Sequence, residues 1–217
     1  MVPKVGSKTE RHVDPLHVSK VATKVPAITA AMPDRWRVAV LLMTSTGLRL
    51  GECLGLTVDR VDFLRRSIRI DRQLANVAGG SGFGIPKTRA GYRTIPVPAF
   101  VVEFLAAHLA EFEPGEDGLI FTTSAGGPVP RSNWSDRYRA ACAAAGVEGR
   151  TRTHDLRHVA ASSLIASGLS VSAVQAVLGH ASPAEALDVY THFWPGDEDK
   201  TREAIDRAAS GWSRQAP

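Results

Sequence analysis

The chain has 217 residues, of which 44% are hydrophobic and 22% are charged, and its formal net charge is +4 at pH 7. These values exclude a short binding peptide and a disordered segment, and they predict a folded domain with a sizeable core. The basic charge favours a polyanionic partner, although charge alone is weak evidence for one. No apolar run approaches the roughly 20 residues that cross a bilayer, and the N-terminus lacks the apolar core of a signal peptide, so we expect a cytoplasmic protein without a membrane partner.

Cysteine usage gives no sign of a disulfide framework. The chain has two cysteines, Cys53 and Cys142, and both lie in apolar helical patterns. We expect each to be a small buried thiol.

The polar and apolar patterns divide the chain into three segments. Residues 1–13 are polar and lack periodicity, which predicts a flexible leader or the remainder of an interdomain linker. Residues 14–196 have the periodic apolar pattern of a folded domain. Residues 197–217 contain an amphipathic stripe that ends at Trp212, which predicts a C-terminal helix or tail.

Two helices are predicted in the first half of the chain. An apolar helix runs from Pro33-Asp34 to the break at Gly47, because proline is common at helix starts and glycine at helix ends. A short helix that carries Glu52 follows it. After Pro98 the chain is predicted to be mostly helical, with glycines between the helices. These later helices cover residues 100–112, 132–145, 153–167, 171–178, 183–190 and 197–209.

Between the two helical regions, apolar and polar residues alternate as they do in β-strands. A small antiparallel sheet is therefore expected near residues 58–97. Lys87 to Gly91 are expected at a hairpin tip, and Pro96 places the last strand at a sheet edge. The predicted fold class is α+β, mostly α-helical with this small sheet. The predicted strands cover residues 61–63, 67–71 and 93–97.

Five short motifs contain residues that can bind phosphate, transfer protons or act as a nucleophile. Cleavage of a phosphodiester without a metal needs cations on the non-bridging oxygens, an in-line nucleophile, and an acid for the leaving oxygen. The motifs supply a candidate for each task. They are Thr46-Gly47-Leu48-Arg49-Leu50-Gly51-Glu52, Pro86-Lys87-Thr88, His154-Asp155-Leu156-Arg157-His158, Leu178-Gly179-His180 and Tyr190-Thr191-His192.

Arg49 and Arg157 are the candidate phosphate clamps, because their planar forks match phosphate oxygens. A structural salt bridge is the alternative role for each. His154 and Arg157 are three residues apart, so on a helix they share a face and can meet one phosphate. The competing hypothesis, a metal pair of His154 and His158, lacks the Glu of the HExxH zinc motif.

Tyr190 is the candidate nucleophile. A phenol with a pKa of about 10 attacks poorly until cations or a base favour its anion, and the arginines with His154 would provide that environment. Its alternative role is a core tyrosine. The alternatives for His180 and Lys87 are a solvent-facing histidine and an exposed turn lysine.

The order Arg, Lys, His-x-x-Arg, His and Tyr resembles that of the tyrosine recombinases, most closely the phage-integrase branch. The resemblance extends over Asp14 to Trp194, and Tyr190 follows His180 at the spacing that integrases share. The chain differs at Glu185 and the residue after it, where many relatives carry two threonines. The resemblance implies the tyrosine recombinase catalytic-domain fold.

The same resemblance implies a role for each catalytic-type residue. Tyr190 attacks the scissile phosphate, which forms a 3′-phosphotyrosyl bond and frees a 5′-hydroxyl. Lys87 protonates the leaving oxygen, and His154 accepts a proton or contacts the phosphate. The implied catalytic set is Arg49, Lys87, His154, Arg157, His180 and Tyr190.

Other side chains are expected to support this set or to contact DNA. Glu52, three residues after Arg49, is expected to orient that arginine, and His158 is expected to pack behind the site. Basic residues in the middle of the chain and before His154 are expected to contact DNA, with solvated surface charge as the alternative. The expected DNA contacts are Arg89, Arg93, Arg131 and Arg152.

The implied function is that of an enzyme, a site-specific recombinase that integrates or excises a mobile or viral genome without ATP, a metal or another cofactor. Its expected partners are double-stranded DNA attachment sites, other copies in a homotetramer at synapsis, and accessory DNA-bending or directionality proteins. The free chain is expected to be a monomer or a weak oligomer. In relatives a terminal segment docks on the neighbouring protomer, and packing on its own domain is the alternative here.

Two other functions stay open at this point. A type IB topoisomerase would use the same chemistry to relax supercoils, and a non-catalytic DNA-binding or assembly module would keep the fold without turnover. Integrases normally carry a core-binding domain, and often an arm-binding domain, before the catalytic domain. Neither is recognised here, so we expect an isolated catalytic domain whose DNA binding is weak and strongly salt-dependent. No motif specifies the attachment-site sequence or the direction of the reaction.

Overall fold

Seven α-helices and five short β-strands form the part of the chain that the computed structural model describes, which is residues 14–77, 80–86 and 88–179. The architecture is α+β and mostly helical, as the sequence predicts. No helix in these ranges is long and apolar enough to cross a lipid bilayer. The helices are α1 (Pro15–Ala31), α2 (Asp34–Thr46), α3 (Leu50–Leu54), α4 (Ala99–Glu111), α5 (Arg131–Ala144), α6 (His154–Ala166) and α7 (Val171–Leu178). The strands are β1 (Val61–Asp62), β2 (Ser67–Ile70), β3 (Gln73–Val77), β4 (Gly80–Gly84) and β5 (Arg93–Pro96).

Helix boundaries follow local sequence signals. Pro15 opens α1 directly after Asp14, whose Oδ1 accepts a hydrogen bond from the Leu16 amide at 2.9 Å. α2 ends at Gly47, where φ is 68°, a left-handed conformation that glycine adopts without strain. The predicted helices between residues 100 and 178 match α4 to α7 within one residue at each end. The helices predicted at 183–190 and 197–209 lie outside the described residues.

The strands form two separate antiparallel units. β1, β2 and β5 make a three-stranded sheet in the order β1-β2-β5, in which Ser67 pairs with Pro96 and Ile70 with Arg93. β5 is therefore an edge strand, as Pro96 predicts. β3 and β4 pair with each other as a two-stranded ribbon.

The predicted hairpin with Lys87 to Gly91 at its tip is wrong in its pairing. β4 pairs with β3 and β5 pairs with β2, so the chain between β4 and β5 connects the ribbon to the sheet. Residues Arg89–Gly91 form a single 3-10 turn in this connection. The ribbon was missed because the glycines of β4 interrupt the alternating pattern on which strand prediction depends. Lys87 itself lies outside the described residues.

Helix packing around α2 and α6 supports the functional region. α1 contacts α5 and α6, and α2 contacts α4 and α6. Trp134 is fully buried between these helices, with its ring centroid 6.4 Å from that of Tyr138 and 6.1 Å from that of Trp36. Cys53 and Cys142 are both buried free thiols, as predicted. This packing holds the end of α2 and the start of α6 at fixed positions.

Gly47→Ala is expected to destabilise the chain more than Gly146→Ala. The two glycines have φ values of 68° and 73°, so alanine at either position costs about 1 kcal/mol of backbone strain. A Cβ at Gly47 would lie 2.3 Å from Cδ2 of buried Leu178, whereas no described residue places an atom within 4 Å of one at Gly146. A further loss of about 1 to 3 kcal/mol is therefore expected at Gly47, measured by urea unfolding. Equal losses at both positions would contradict the tight contact with Leu178.

Candidate active site

A cleft of about 850 Å³ opens where α3, α5 and α6 begin and α7 ends. Residues that are far apart in the sequence meet on its walls. Within the described ranges, the cationic and titratable side chains that line it are Arg49, Glu52, Arg131, His154 and Arg157. Residues next to the predicted site positions also line it, namely Pro86, Thr88, Gly91, Thr153 and Gly179.

Arg157 lines this cleft although only 2% of it is exposed. Its Nη1 donates to the Gly47 carbonyl at 2.6 Å, and its Nη2 donates to the Leu178 carbonyl at 2.8 Å. These carbonyls lie at the ends of α2 and α7, where backbone acceptors lack helical partners and the helix dipole favours a cation. Arg157 therefore joins two helix ends and places a permanent positive charge at the cleft.

Arg49 lies directly before α3 and is more accessible, with 37% of its side chain exposed. Its Nη1 donates to Oε1 of Glu52 at 3.2 Å, and its Nη2 donates to the Gly179 carbonyl at 3.2 Å. Gly179 is the residue that precedes His180 in the chain. These two contacts orient the Arg49 guanidinium at the cleft wall.

Glu52 is a buried carboxylate, 4% exposed, that contacts two arginines. It accepts a hydrogen bond from the Arg49 amide at 2.9 Å, and its two oxygens accept from Nη1 and Nη2 of Arg93 at 3.0 and 2.8 Å. Burial by itself raises the pKa of Glu52, but the hydrogen bonds and charges of Arg93 and Arg49 outweigh burial and hold this pKa below its ordinary value. Glu52 therefore stays ionised and acts as an internal counter-ion.

His154 and His158 lie on successive turns of α6 but in different surroundings. His154 is the first residue of α6, is exposed and lines the cleft, whereas His158 is half-buried. Their ring centroids are 4.7 Å apart in an edge-to-face arrangement. Burial, and then the charge of His154, lowers the pKa of His158 to about 4. His158 is therefore neutral near pH 7, and His154 is the histidine of this pair that faces the cleft.

Contacts from two other helices hold the start of α6 in place. Nε1 of Trp134 in α5 donates to Oγ1 of Thr153 at 2.9 Å. Oδ2 of Asp155 lies 3.2 Å from Nε2 of His17 in α1. The first turn of α6 thus carries both the Asp155 carboxylate, which these contacts hold at the helix start, and His154, which lines the cleft. Sequence motifs do not single out Trp134 or His17, because each is remote from His154 along the chain.

The four arginines predicted to contact DNA occupy different environments. Arg131 lines the cleft, and Arg89 and Arg152 are exposed. The side chain of Arg93 is only 6% exposed, and its guanidinium is bound to Glu52. Arg93 thus forms an internal ion pair in this structure, and its contact with DNA stays a prediction. Nothing in the sequence shows that this carboxylate, 41 residues away, lies beside Arg93.

Lys87, His180 and Tyr190 lie outside the described residues, so their roles stay predictions. The chain neighbours of two of them do line the cleft: Pro86 and Thr88 flank Lys87, and Gly179 precedes His180.

Two oriented arginines and a histidine line one cleft of this mostly helical domain. Such an arrangement is expected of a site that binds phosphate groups. The sequence matches the model of the phage integrase family over residues 21–195, and the chain belongs to that family. The resemblance inferred from the motifs is therefore confirmed.

Two curated relatives show how much of a longer protein this chain matches. It is 30% identical over 193 residues to a tyrosine recombinase XerC-like protein of Caldanaerobacter subterraneus, which covers 79% of this chain and 49% of that protein. It is also 30% identical over 209 residues to a putative prophage phiRv2 integrase of Mycobacterium tuberculosis, which covers 94% of this chain and 54% of that protein. The chain thus spans about half the length of these relatives.

Solved structures share the fold. The integrase of the Tn1549 transposon, in complex with circular intermediate DNA, matches with a TM-score of 0.74 and 21% identity over 94% of this chain and 69% of that chain. The catalytic domain of bacteriophage HP1 integrase matches with a TM-score of 0.54 and 19% identity over 88% of this chain and 93% of that chain. The predicted tyrosine recombinase catalytic-domain fold is therefore confirmed.

His158→Gln is expected to flatten the pH dependence of stability between pH 6.5 and about 4. In the unfolded chain a histidine binds a proton below its ordinary pKa of 6.5, whereas His158 in the folded chain binds one only below about 4. The unfolded state therefore binds more protons in this window, and the free energy of unfolding falls as the pH falls, by up to about 3 kcal/mol from this group.

Urea unfolding of both proteins at a series of pH values measures this difference. An NMR titration that places the His158 ring at its ordinary pKa in the folded chain would contradict the prediction.

Proposed function

We propose that this chain is the catalytic domain of a site-specific DNA recombinase, which breaks and rejoins DNA strands to integrate or excise a mobile or viral genome. The observation that carries the proposal is the convergence of Arg49, His154 and Arg157 on one cleft. The chain neighbours of Lys87 and His180 line the same cleft, and the chain belongs to the phage integrase family. Because the named relatives come from bacteria and phages, the bacterial cytoplasm is the proposed setting.

The first proposed step is the binding of the scissile phosphate. Arg49 and Arg157 are permanent cations whose planar forks match its non-bridging oxygens. Backbone carbonyls hold both guanidiniums, Arg49 at Gly179 and Arg157 at Gly47. Donors that are oriented before DNA binds need little reorganisation when charge develops on the phosphate. His154, the first residue of α6, lines the same cleft and is a third group within it that can contact the phosphate.

The second proposed step is transesterification. The Tyr190 hydroxyl attacks phosphorus and passes its proton to His154, while His180 donates a hydrogen bond to a phosphate oxygen. The bond from phosphorus to the 5′-oxygen breaks, and the Lys87 ammonium protonates that oxygen. The 3′-phosphotyrosyl bond retains the energy of the original phosphodiester, so a 5′-hydroxyl can attack it and release Tyr190 without ATP. None of these steps draws on a metal or a cofactor.

The proposed partners are double-stranded DNA attachment sites. The Tn1549 integrase, which shares this fold, has been solved with circular intermediate DNA. We further propose a homotetramer on DNA, a monomer or weak oligomer in its absence, and accessory DNA-bending or directionality proteins. Residues 14–196 are the proposed catalytic domain, between a leader at 1–13 and a tail at 197–217. The family match over residues 21–195 supports these boundaries.

The proposed nucleophile is tested with a pool of nicked suicide duplexes whose core sequence is randomised. Cleavage releases the short strand with the free 5′-hydroxyl, so the wild-type chain should stay covalently attached to DNA. This adduct is detected after denaturation, and the attached DNA is sequenced to give the captured sequence. Tyr190→Phe should abolish the adduct, because the attacking oxygen is gone. Tyr92→Phe is the matched control, since Tyr92 is 49% exposed and outside the cleft lining.

An adduct that survives in Tyr190→Phe would contradict the role of Tyr190. Relaxation of a plasmid that lacks any captured sequence would favour a type IB topoisomerase. DNA binding without an adduct would favour a non-catalytic DNA-binding or assembly module.

Arg152→Gln is expected to weaken duplex binding and to lower the slope of log Kd against log salt by about one. Arg152 is exposed and directly precedes Thr153 and His154, which line the cleft. Arg37→Gln is the control and should leave the slope unchanged, because Arg37 lies about 15 Å along α2 from Gly47. Fluorescence anisotropy at several salt concentrations measures both slopes. A slope equal to that of wild type in Arg152→Gln would exclude the DNA contact.

A further inference from the structure

We infer that Arg93 is a positioning residue that holds together α3, which follows Arg49, the turn that follows Lys87, and the end of α7, which precedes His180. This inference rests on the proposed function, since it assigns these three residues to one reaction. Arg93 was expected to face DNA, but its burial and its contacts indicate a role inside the domain. It acts through the groups that it holds.

The guanidinium of Arg93 contacts three separate elements. Nη1 and Nη2 donate to the two oxygens of Glu52 in α3, at 3.0 and 2.8 Å. Nε donates to the Val177 carbonyl in the last turn of α7 at 2.9 Å. Nη1 also donates to the Gly91 carbonyl, in the turn after Lys87, at 3.1 Å. One side chain on β5 thus links α3, α7 and the connection between β4 and β5.

These contacts belong to a cyclic hydrogen-bond network that includes Arg49. Glu52 accepts hydrogen bonds from both Arg49 and Arg93, and both arginines donate to carbonyls at the end of α7, Arg49 to Gly179 and Arg93 to Val177. Two arginines therefore hold the end of α7, and both of them also bind the buried Glu52 carboxylate. A shift of Arg93 would displace Glu52, and with it the orientation of Arg49.

Gly179 shows how closely these segments approach each other. A Cβ at this position would lie 2.8 Å from the Ala90 carbonyl oxygen and 2.8 Å from Nη1 of Arg93, and φ is 68°. The backbone directly before His180 therefore sits against both Arg93 and the turn that ends at Gly91. The three proposed catalytic segments meet around this one guanidinium.

Lysine cannot replace these contacts. A planar guanidinium donates in several fixed directions at once, whereas an ammonium is a compact charge without that fork. Arg93→Lys keeps the charge beside Glu52 but cannot also hold the Val177 and Gly91 carbonyls in the same geometry. Arg93 does not line the cleft, and its guanidinium is bound to Glu52 and to the Val177 and Gly91 carbonyls, so the structure gives it a role inside the domain and not at the phosphate.

The test compares Arg93→Lys with Arg60→Lys in the whole chain. Arg60 has a similar pair, with Nε 3.0 and 2.8 Å from the oxygens of Asp71, but it does not line the cleft or contact its residues. Arg93→Lys should slow single-turnover adduct formation by about 10- to 100-fold at saturating protein, on a duplex that carries the captured sequence. The reason is that small displacements of the proposed catalytic groups reduce the rate of the chemical step. The duplex Kd of Arg93→Lys should stay that of wild type, and so should the salt slope of Glu52→Gln/Arg93→Gln, in which the guanidinium charge is absent. Arg60→Lys should keep the wild-type rate, even with an equal loss of stability in urea.

Coupling to Arg49 separates positioning from general stability. If Arg93 acts through Arg49, the double variant Arg49→Lys/Arg93→Lys should lose less rate than the product of the two single losses. If Arg93→Lys does not fold, Glu52→Gln/Arg93→Gln removes both buried charges and serves as the second slow variant.

Each outcome bears on one of the two claims. No adduct with the wild-type chain would overturn the proposed function and, with it, this inference. A wild-type adduct together with full rate in the Arg93 variants, or with multiplicative losses in the double variant, would overturn the inference alone. A weaker Kd in Arg93→Lys, or a salt slope lowered by about one in Glu52→Gln/Arg93→Gln, would show a DNA contact instead and would also overturn it.

Discussion

A buried carboxylate must be paired, and Glu52 meets this requirement with two arginines from different parts of the chain. Arg49 lies three residues before it, and Arg93 belongs to an edge strand. This pairing fixes α3 against β5. Because Arg49 and Arg93 also bind the Gly179 and Val177 carbonyls, the same anion fixes the end of α7. The wall of the cleft depends on this one charge.

Backbone carbonyls orient the other two arginines of the cleft that the structure describes. Arg157 donates to the Gly47 and Leu178 carbonyls, and Arg131 donates to the Leu74 carbonyl at 3.3 Å. A carbonyl dipole orients a guanidinium without cancelling its net charge, so such an arginine keeps its attraction for phosphate. A carboxylate does cancel charge. The buried Glu52 carboxylate pairs with Arg93 inside the domain and also with Arg49 at the cleft.

The parts of the fold that sequence patterns predicted are those encoded by neighbouring residues. The boundaries of α4 to α7 follow from apolar periodicity and from glycines between the helices, and Pro96 marks the edge strand because it cannot donate to a ladder. The ribbon of β3 and β4 was missed because the glycines of β4 leave no alternation to detect. The pairing of β5 with β2, across the intervening ribbon, is a contact between distant segments that turn signals near Lys87 could not reveal.

The sequence by itself determined the family, because the types and order of the motif residues are recorded directly in the chain. It also placed Arg49, His154 and Arg157 among the residues that the cleft brings together. Only the tertiary structure decided that Arg131 lines the cleft and that Arg93 binds Glu52 inside the domain. Arg93 and Arg131 are chemically identical in the sequence, and their roles differ because packing buries one beside Glu52 and leaves the other at the cleft. Burial and ion pairing between distant residues arise from packing, so local sequence patterns cannot encode them.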